Sequence, residues 1–228
     1  DATWVDLDNP TKSEVDEIVS KYKIDLQSGN DLVLPTNSPR VNFYSNYAYI
    51  VLHFPFFKHS HRENNVQEID FILTKDALIT SRFDHIDAVH KFKKIIEIES
   101  VVDKKPIVNP TGYLFFRLLR ELYGSLFDEL KYIDSESREI EKNIFSGKEH
   151  EMVLEISNLM RVLLDLDRTL SQHKDVLTKL KDYGSGIFGE HFEYHIRSVI
   201  DEFGKLRGII KSQKDIMTEL RETNNSLL

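Results

Sequence analysis

Cysteine is absent from the 228 residues, and this absence removes several kinds of chemistry at once. Disulfides, thiolate nucleophiles and cysteine-based zinc sites are excluded, and a reducing compartment is allowed. No run of about 18 consecutive apolar residues occurs, so no segment has the pattern of a membrane-spanning helix. The phosphate-binding, dinucleotide-binding, serine-hydrolase and zinc-protease motifs are missing too, so the sequence predicts no enzyme.

Positive charge is also scarce. Lys and Arg number 30 against 38 Asp and Glu, so the formal net charge is −8. Nucleic-acid binders normally carry a basic stripe, so we expect no nucleic-acid partner, whereas cation binding is allowed. With 40% hydrophobic and 30% charged residues, the composition is typical of a globular chain with a core of normal size. No motif indicates a small-molecule substrate.

The first half of the sequence alternates strand and helix signals. The segments "TWVDL" and "VNFYSNYAYIVLHFPFF" favour strands, and "DFILTKDALITSRF" predicts a hairpin that turns at Lys75 and Asp76. Helical spacing recurs in "NPTKSEVDEIVSKYKI" and "HIDAVHKFKKIIEIES". The stretch "LQSGNDLVLPTNSPR" is rich in turn residues and predicts a loop. In "HFPFFKHSH" we expect His53, His59 and His61 to lie in a solvated loop that binds metal only adventitiously.

Strand signals vanish after Pro106, and three long helices are predicted near 110–145, near 147–182 and from about 188 onwards. Each would be roughly 50–60 Å long at about 1.5 Å per residue. We expect "YGSGIFG" to be a loop between the second and third helices, because it is rich in glycine. The acids of "DELKYIDSESREIEKNIF" are predicted to form an exposed helix face.

The third helix carries a heptad seam over more than four heptads, with the polar residues Gln213 and Asn224 within it. One interpretation is a three-helix bundle within the chain, and the other is self-association of parallel copies of this helix. Gly204 and Gly208 lie off the seam, and each costs about 1 kcal/mol in a helix. We therefore expect a close helix contact at both glycines. The seam consists of Phe192, Ile196, Val199, Phe203, Leu206, Ile210, Gln213, Met217, Leu220 and Asn224.

The order of these parts resembles the cytoplasmic portion of the CorA family of divalent-cation channels and transporters. The resemblance rests on "TWVDLDNPTKSEV", the turn with Asp31, "PRVNFYSNYAYIVL", the hairpin segment and "GYLFFRLL", and covers essentially the whole chain. It implies an α+β fold, with an N-terminal α/β/α sandwich around a mixed sheet over 1–108. It further implies a long antiparallel helix pair over 109–186 and a stalk helix over 187–228 that leads to a transmembrane segment.

The resemblance also implies a biological setting. Family members assemble as homopentamers around the stalk, at the cytoplasmic face of the inner membrane, and move Mg²⁺, Co²⁺ and Ni²⁺, while a sister branch handles zinc. The chain would then be a regulatory or gating domain that senses cations at subunit interfaces. The alternatives are a member of the zinc-transporting branch and a soluble coiled-coil scaffold without a transport role.

The two ends of the sequence have the character of cut ends. It opens without Met and closes on "KDIMTELRETNNSLL", which contains no helix stop signal, and the family's pore signature Gly-Met-Asn is absent. We therefore expect truncation before the first transmembrane helix. Without that segment, we expect the turns around Met217, Leu220 and Asn224 to fray or to form a non-physiological oligomer.

The resemblance implies a cation site between neighbouring subunits, which this sequence matches only in part. A Glu-Asp pair of the family corresponds to Asn30 and Asp31, so one carboxylate remains. A family acid on the stalk corresponds to His191, and an acid on the first long helix corresponds to Arg120. Carboxylate and water oxygens are the ligands that Mg²⁺ prefers. With so few carboxylates left, the implied Mg²⁺ site is weakened.

A histidine pair offers a substitute. His191 and His195 are spaced i, i+4, so they share a helix face, and imidazoles favour Zn²⁺, Co²⁺ or Ni²⁺. If Asp31 of a neighbour approached His191, these three residues would form the candidate metal site. The alternative is that both histidines pack against Tyr194 and the α/β domain, or lie in solvent at the start of the stalk.

Overall fold

The computed structural model describes residues 2–57, 64–102 and 110–228. His59 and His61, which the sequence places in a loop, lie outside the described residues. In chain order the elements are β1 (Thr3–Asp8), α1 (Lys12–Tyr22), α2 (Leu26–Asp31), β2 (Arg40–Phe43), β3 (Tyr47–Phe57), β4 (Asn64–Thr74), β5 (Ala77–Arg82), α3 (Asp87–Val102), α4 (Pro110–Phe145), α5 (Glu149–Ser171), α6 (His173–Phe188) and α7 (Glu190–Leu227).

The five strands form one mixed sheet in the order β1-β5-β4-β3-β2. β1 runs parallel to β5, and the other neighbouring pairs are antiparallel. The hairpin between β4 and β5 turns at Lys75 and Asp76, as predicted. The mixed sheet expected from the sequence is therefore confirmed.

Helices cover both faces of the sheet. On one face, Val15 and Ile18 of α1 pack with Leu32 against Tyr49 and Ile72 of the sheet. The opposite face packs against α3 and α4, for example through the edge-on contact between the rings of Phe71 and Phe115. Alternate strand residues point to opposite faces, so β1, β3, β4 and β5 each contribute to both cores. This arrangement is the predicted α/β/α sandwich.

Residues 26–31 form the short helix α2, so the loop predicted over this stretch is wrong here. Asp25 caps the helix, because its Oδ1 accepts hydrogen bonds from the backbone N–H groups of Gln27 (2.7 Å) and Ser28 (3.1 Å). Gly29 allows α2 to lie close on α1, since a Cβ there would be 2.5 Å from Cγ2 of Val19. A helix of six residues is too short to show a hydrophobic period.

The second long helix is broken into two. α5 ends at Ser171 and α6 begins at His173, with Gln172 between them. The predicted loop at "YGSGIFG" is wrong, because residues 183–188 continue α6 and the chain turns only at Gly189, whose φ is 84°. That left-handed conformation suits glycine. α4 and α7 contain 36 and 38 residues, about 54 and 57 Å at ~1.5 Å per residue, as expected.

His173 is fully buried where the end of the sheet meets the helices. Its Nε2 lies 2.7 Å from the backbone carbonyl of His53, so Nε2 donates, and its Nδ1 accepts from the hydroxyl of Tyr123 at 2.9 Å. Burial lowers the pKa of His173 to about 4, which keeps the ring neutral. His53 itself lies half-buried in β3, so its predicted position in a solvated loop is wrong.

The heptad seam of α7 packs against other helices of the same chain. Every seam residue is buried, and α7 packs along α4, α5 and α6. Gln213 donates to Asp134 at 2.9 Å, and Asn224 donates to the backbone carbonyl of Glu149 at 3.0 Å. The predicted bundle within the chain is therefore confirmed, and self-association of parallel copies of this helix stays a prediction. The expected fraying is also wrong, because α7 is helical to Leu227.

Two further expectations concern the helices of the bundle. The acidic face of α4 is exposed as predicted at Asp128, Glu139 and Glu141, whereas Asp134 and Glu136 are half-buried and Glu129 is buried. Within this chain Gly204 and Gly208 face open space, so no other helix of the same chain makes the close contact expected there. Close helix contact occurs instead at Gly184, where a Cβ would lie 2.4 Å from the ring of Phe192. Among the described helices, none combines the length and apolar content needed to cross a bilayer.

The contrast between these glycines gives a matched pair of substitutions. Gly184→Ala should destabilise the chain, because the new methyl group meets the buried ring of Phe192, with overpacking costs of about 1–3 kcal/mol. Gly204→Ala adds the same methyl group in open space and should stabilise it by about 0.5–1 kcal/mol through helix propensity. Urea unfolding of both variants measures the difference, and equal effects would contradict the packing at Gly184.

Candidate metal site

Asp31 is the last residue of α2, and its carboxylate already has partners. Its Oδ2 lies 2.7 Å from Nη2 of Arg40, the first residue of β2. Its Oδ1 accepts a hydrogen bond from Nε2 of Gln27 at 3.2 Å. Both charged side chains are about one-third exposed, at 28% for Asp31 and 34% for Arg40. A cation arriving at Asp31 would therefore compete with a guanidinium group.

The positions next to Asp31 and on α4 carry no negative charge. Asn30 is exposed and neutral. Arg120 forms an ion pair with Glu202 of α7 at 2.8 Å, and its guanidinium lies 5.5 Å from the ring centre of Phe116. Arg120 thus joins α4 to α7 directly, where the family resemblance implies an acid. An ion pair inside one chain replaces the negative charge expected there.

The two histidines lie in the first turns of α7, on the same helix face as predicted. His191 is exposed, whereas His195 is half-buried. The ring centre of His195 lies 4.8 Å from that of Phe116 and 5.6 Å from that of Tyr113. Tyr194 contacts His195 edge-on at 5.6 Å. These aromatic contacts match the packing alternative for His195, which the sequence left open beside metal binding.

The electrostatics of His195 keep its ring neutral. Burial, and secondly the neighbouring His191, lower the pKa of His195 below its usual range. Its Nδ1 is buried without a hydrogen-bond partner among the described residues. A neutral imidazole with a free lone pair is the form that binds transition metals. Both histidines therefore keep the chemistry needed for a soft cation.

A single copy of the chain does not assemble these residues into a closed site. Across residues 2–57, 64–102 and 110–228, no group of three or more His, Asp or Glu side chains is arranged to hold a metal ion. The structure brings His191 and His195 together, and it pairs Asp31 with Arg40. A cation site built from Asp31, His191 and His195 would therefore require a neighbouring copy, as the sequence hypothesis already assumes.

Two groups of functional interest were missed by sequence reasoning. Arg40, the partner of Asp31, follows Pro39 at the start of a strand, where nothing in the local pattern marks it. Glu68 and Asp70 lie buried on one face of β4, next to His53. Their signal was present, because two acids at alternate positions interrupt the strand "EIDFIL" on a single face.

Comparisons with known proteins assign the chain to a protein family. The sandwich, the long bundle and a sequence match over the whole chain put the protein in the class of divalent-cation transporters. Specifically, the chain belongs to the family described as "CorA-like Mg2+ transporter protein", whose family model matches residues 1–228. Members of this family are ion transporters, so the chain is not an enzyme.

Curated relatives agree with this assignment. The cobalt/magnesium transport protein CorA of Methanocaldococcus jannaschii is 26% identical over 230 residues, which cover 95% of this chain and 69% of the relative. The protein of the same name from Thermotoga maritima is 25% identical over 221 residues, covering 96% of this chain and 62% of that protein. The chain thus spans about two-thirds of the length of these relatives.

Solved structures share the fold. The soluble domain of CorA from M. jannaschii superposes with a TM-score of 0.81 at 20% identity, covering 98% of this chain and 88% of that one. The cytoplasmic domain of ZntB from Vibrio parahaemolyticus superposes with a TM-score of 0.77 at 11% identity, covering 98% of this chain and 86% of that one. At these identities the likeness concerns the fold alone.

The pKa of His195 provides a test of the histidine pair. Because the second cause of its lowered pKa is His191, His191→Ala should raise the pKa of His195 part of the way to the usual histidine value. Burial, the larger cause, remains in the variant. NMR titration of the ring protons measures the shift. An unchanged pKa would contradict the electrostatic contact between the two side chains.

Proposed function

We propose that the chain is the cation-responsive regulatory part of a CorA-type divalent-cation transporter. The observation that carries this proposal is the family match over residues 1–228, without a gap at either end of the chain. The transported ion would pass through segments beyond this chain, since the relatives are about half as long again. In that setting the chain lies at the cytoplasmic face of the membrane, and α7 leads towards the pore.

The proposed assembly is a homopentamer around α7. The face of α7 opposite the buried seam is exposed and carries small or polar residues, such as Gly204, Gly208 and Ser212. Small side chains allow helices of neighbouring copies to approach closely. This contact would recover the helix-propensity cost of the two glycines, which the single chain leaves uncompensated.

The proposed cation site lies between neighbouring copies, with Asp31 from one copy and His191 and His195 from the next. Arg40 already neutralises Asp31, so a hard cation such as Mg²⁺ finds one contested carboxylate there. Two imidazole groups suit Zn²⁺, Co²⁺ or Ni²⁺ better. The chemistry of the residues therefore favours a transition-metal ion as the regulatory ligand, with Mg²⁺ the ion implied by the family name.

Calorimetric titration of the 228-residue chain tests this site. Asp31→Asn and His191→Ala should each weaken Zn²⁺ or Co²⁺ binding by roughly tenfold or more, as expected when one ligand is lost. Arg40→Gln should strengthen binding, because it removes the competing cation from Asp31. His150→Ala is the matched control, since His150 is also an exposed histidine in the first turns of a helix.

The pattern of results separates the possibilities. Unchanged binding in both Asp31→Asn and His191→Ala would refute the site. If binding is lost in His191→Ala but not in Asp31→Asn, the cation site consists of the histidines of one copy and does not include Asp31. Tight Mg²⁺ binding that depends on Asp31 would support the magnesium form of the site instead of the transition-metal form.

Sedimentation velocity tests the assembly. We expect a cation-dependent pentamer that dissociates with EDTA, and Gly204→Leu should weaken it, because the bulky side chain blocks approach of a neighbouring α7. Asn158→Leu on the exposed face of α5 is the matched control. A dimer or trimer that ignores cations would contradict the proposal and favour the scaffold alternative. A pentamer that is insensitive to Gly204→Leu would place the interface elsewhere.

A further inference from the structure

Two carboxyl groups lie side by side in the core of the sandwich. Glu68 and Asp70 are two residues apart on β4, so their side chains point to the same face of the sheet. Asp70 is completely buried, and Glu68 is 8% exposed. A strand of a soluble sandwich rarely places two acids in its core, because each buried charge loses its hydration. The pair therefore needs a specific structural explanation.

Each carboxyl group has one oxygen with partners and one without. Oδ2 of Asp70 accepts a hydrogen bond from the hydroxyl of Tyr49 at 2.7 Å. Oε2 of Glu68 accepts from the backbone N–H of Thr36 at 2.6 Å and lies 3.1 Å from Nε2 of His53. Among the described residues, neither Oδ1 of Asp70 nor Oε1 of Glu68 has a hydrogen-bond partner. A proton on Oδ1 of Asp70, donated to Oε1 of Glu68, satisfies both atoms.

The electrostatics of the pair agree with this arrangement. Burial, followed by the charge of Glu68, raises the pKa of Asp70 well above the usual carboxyl range. Burial also acts to raise the pKa of Glu68, but hydrogen bonds from His53 and Thr36 outweigh it and hold that pKa below the usual range. The two acids thus differ in the direction of their shifts, as in known carboxyl pairs that hold one proton.

Glu68, the charged acid of the pair, forms hydrogen bonds to the segment of residues 32–39. Residues 32–39 connect α2, which ends at Asp31, to β2, which begins at Arg40. Within this segment, Thr36 bonds Glu68 through its N–H and its hydroxyl (3.1 Å), and its carbonyl accepts from Nε2 of His53 at 2.9 Å. The same contacts therefore position both members of the Asp31–Arg40 ion pair.

We propose that Glu68 and Asp70 share one proton and form a pH-responsive lock, which holds segment 32–39, and with it Asp31 and Arg40, against the sheet. When pH rises far enough for Asp70 to lose its proton, two adjacent carboxylates repel each other in a dry site. Glu68 then moves away from Asp70, and its bonds to Thr36 are lost. The proposal goes beyond the cation-responsive function, because the lock exists whether or not Asp31 binds a cation.

The charged and titratable groups that face the pair come from every element packed around it. β3 contributes His53 and Tyr49, and β2 contributes Arg40, whose guanidinium lies 5.5 Å from the ring centre of Tyr49. α2 contributes Asp31, which neutralises Arg40. On the far side of His53, a cavity of about 170 Å³ is lined by Arg168 of α5. Tyr49 also stays protonated, since burial raises its pKa.

Carboxyl-carbon NMR on the wild-type chain tests proton sharing without any substitution. We expect Asp70 to ionise well above the usual carboxyl range. The amide of Thr36 should lose protection from hydrogen exchange over the same pH interval. Ionisation of Asp70 within the usual carboxyl range would overturn the proposal. So would ionisation of Asp70 above that range without any change at Thr36.

Asp70→Asn tests the same lock through stability. A raised pKa in the folded state means that stability is lost as pH rises from the usual carboxyl pKa to the raised one, so the wild type should become less stable over that interval. Asn imitates protonated Asp, so the stability of Asp70→Asn should not decrease over this pH interval. Asp16→Asn, at an exposed position on α1, is the matched control, and its stability should decrease as in the wild type. An Asp70→Asn variant that keeps the wild-type pH profile would contradict the proposal.

Glu68→Gln examines the other half of the pair. Removal of the like charge should bring the ionisation of Asp70 down towards the usual range. Exchange at the Thr36 amide should become roughly tenfold faster, because a charge-assisted hydrogen bond becomes a neutral one. If the ionisation of Asp70 stays where it is in the wild type, the two acids are not coupled and the proposal fails.

Discussion

One buried imidazole joins the two halves of the molecule. His173 donates to the end of β3, accepts from Tyr123 on α4 and stacks on Phe203 of α7 with ring centres 6.2 Å apart. Because both ring nitrogens have a fixed partner, the ring has one orientation and one tautomer. The sheet and the bundle are therefore held in register by hydrogen bonds, which require specific geometry, in addition to apolar contacts, which tolerate sliding.

The sequence predicts the parts of the fold that have a long or regular pattern. The heptads of α7 extend over enough residues to be recognised, and the β4–β5 hairpin has sufficiently specific turn chemistry. It does not predict α2, the break at Gln172 or the helical course of residues 183–188. Each of these depends on a tertiary contact or on a backbone conformation that local composition does not specify.

The same distinction applies to the candidate site. The i, i+4 spacing of His191 and His195 is visible in the sequence, whereas the pairing of Asp31 with Arg40 depends on how a loop returns to the sheet edge. At three positions the family resemblance implies negative charge, and this chain has Asn30, Arg120 and His191 there. Two charged groups at this site form ion pairs inside the chain, Asp31 with Arg40 and Arg120 with Glu202. The fold of the family thus persists while its charge distribution changes.

The polar residues within the buried seam of α7 have a mechanical consequence. Gln213 bonds Asp134 of α4, and Asn224 bonds the first residue of α5, so each contact exists at only one axial position of α7. Apolar contacts alone would allow small axial displacements of α7, but these hydrogen bonds must break before the helix can shift. Axial movement of α7 is therefore expected in discrete steps of about one helical turn, roughly 5.4 Å, with no stable intermediate position.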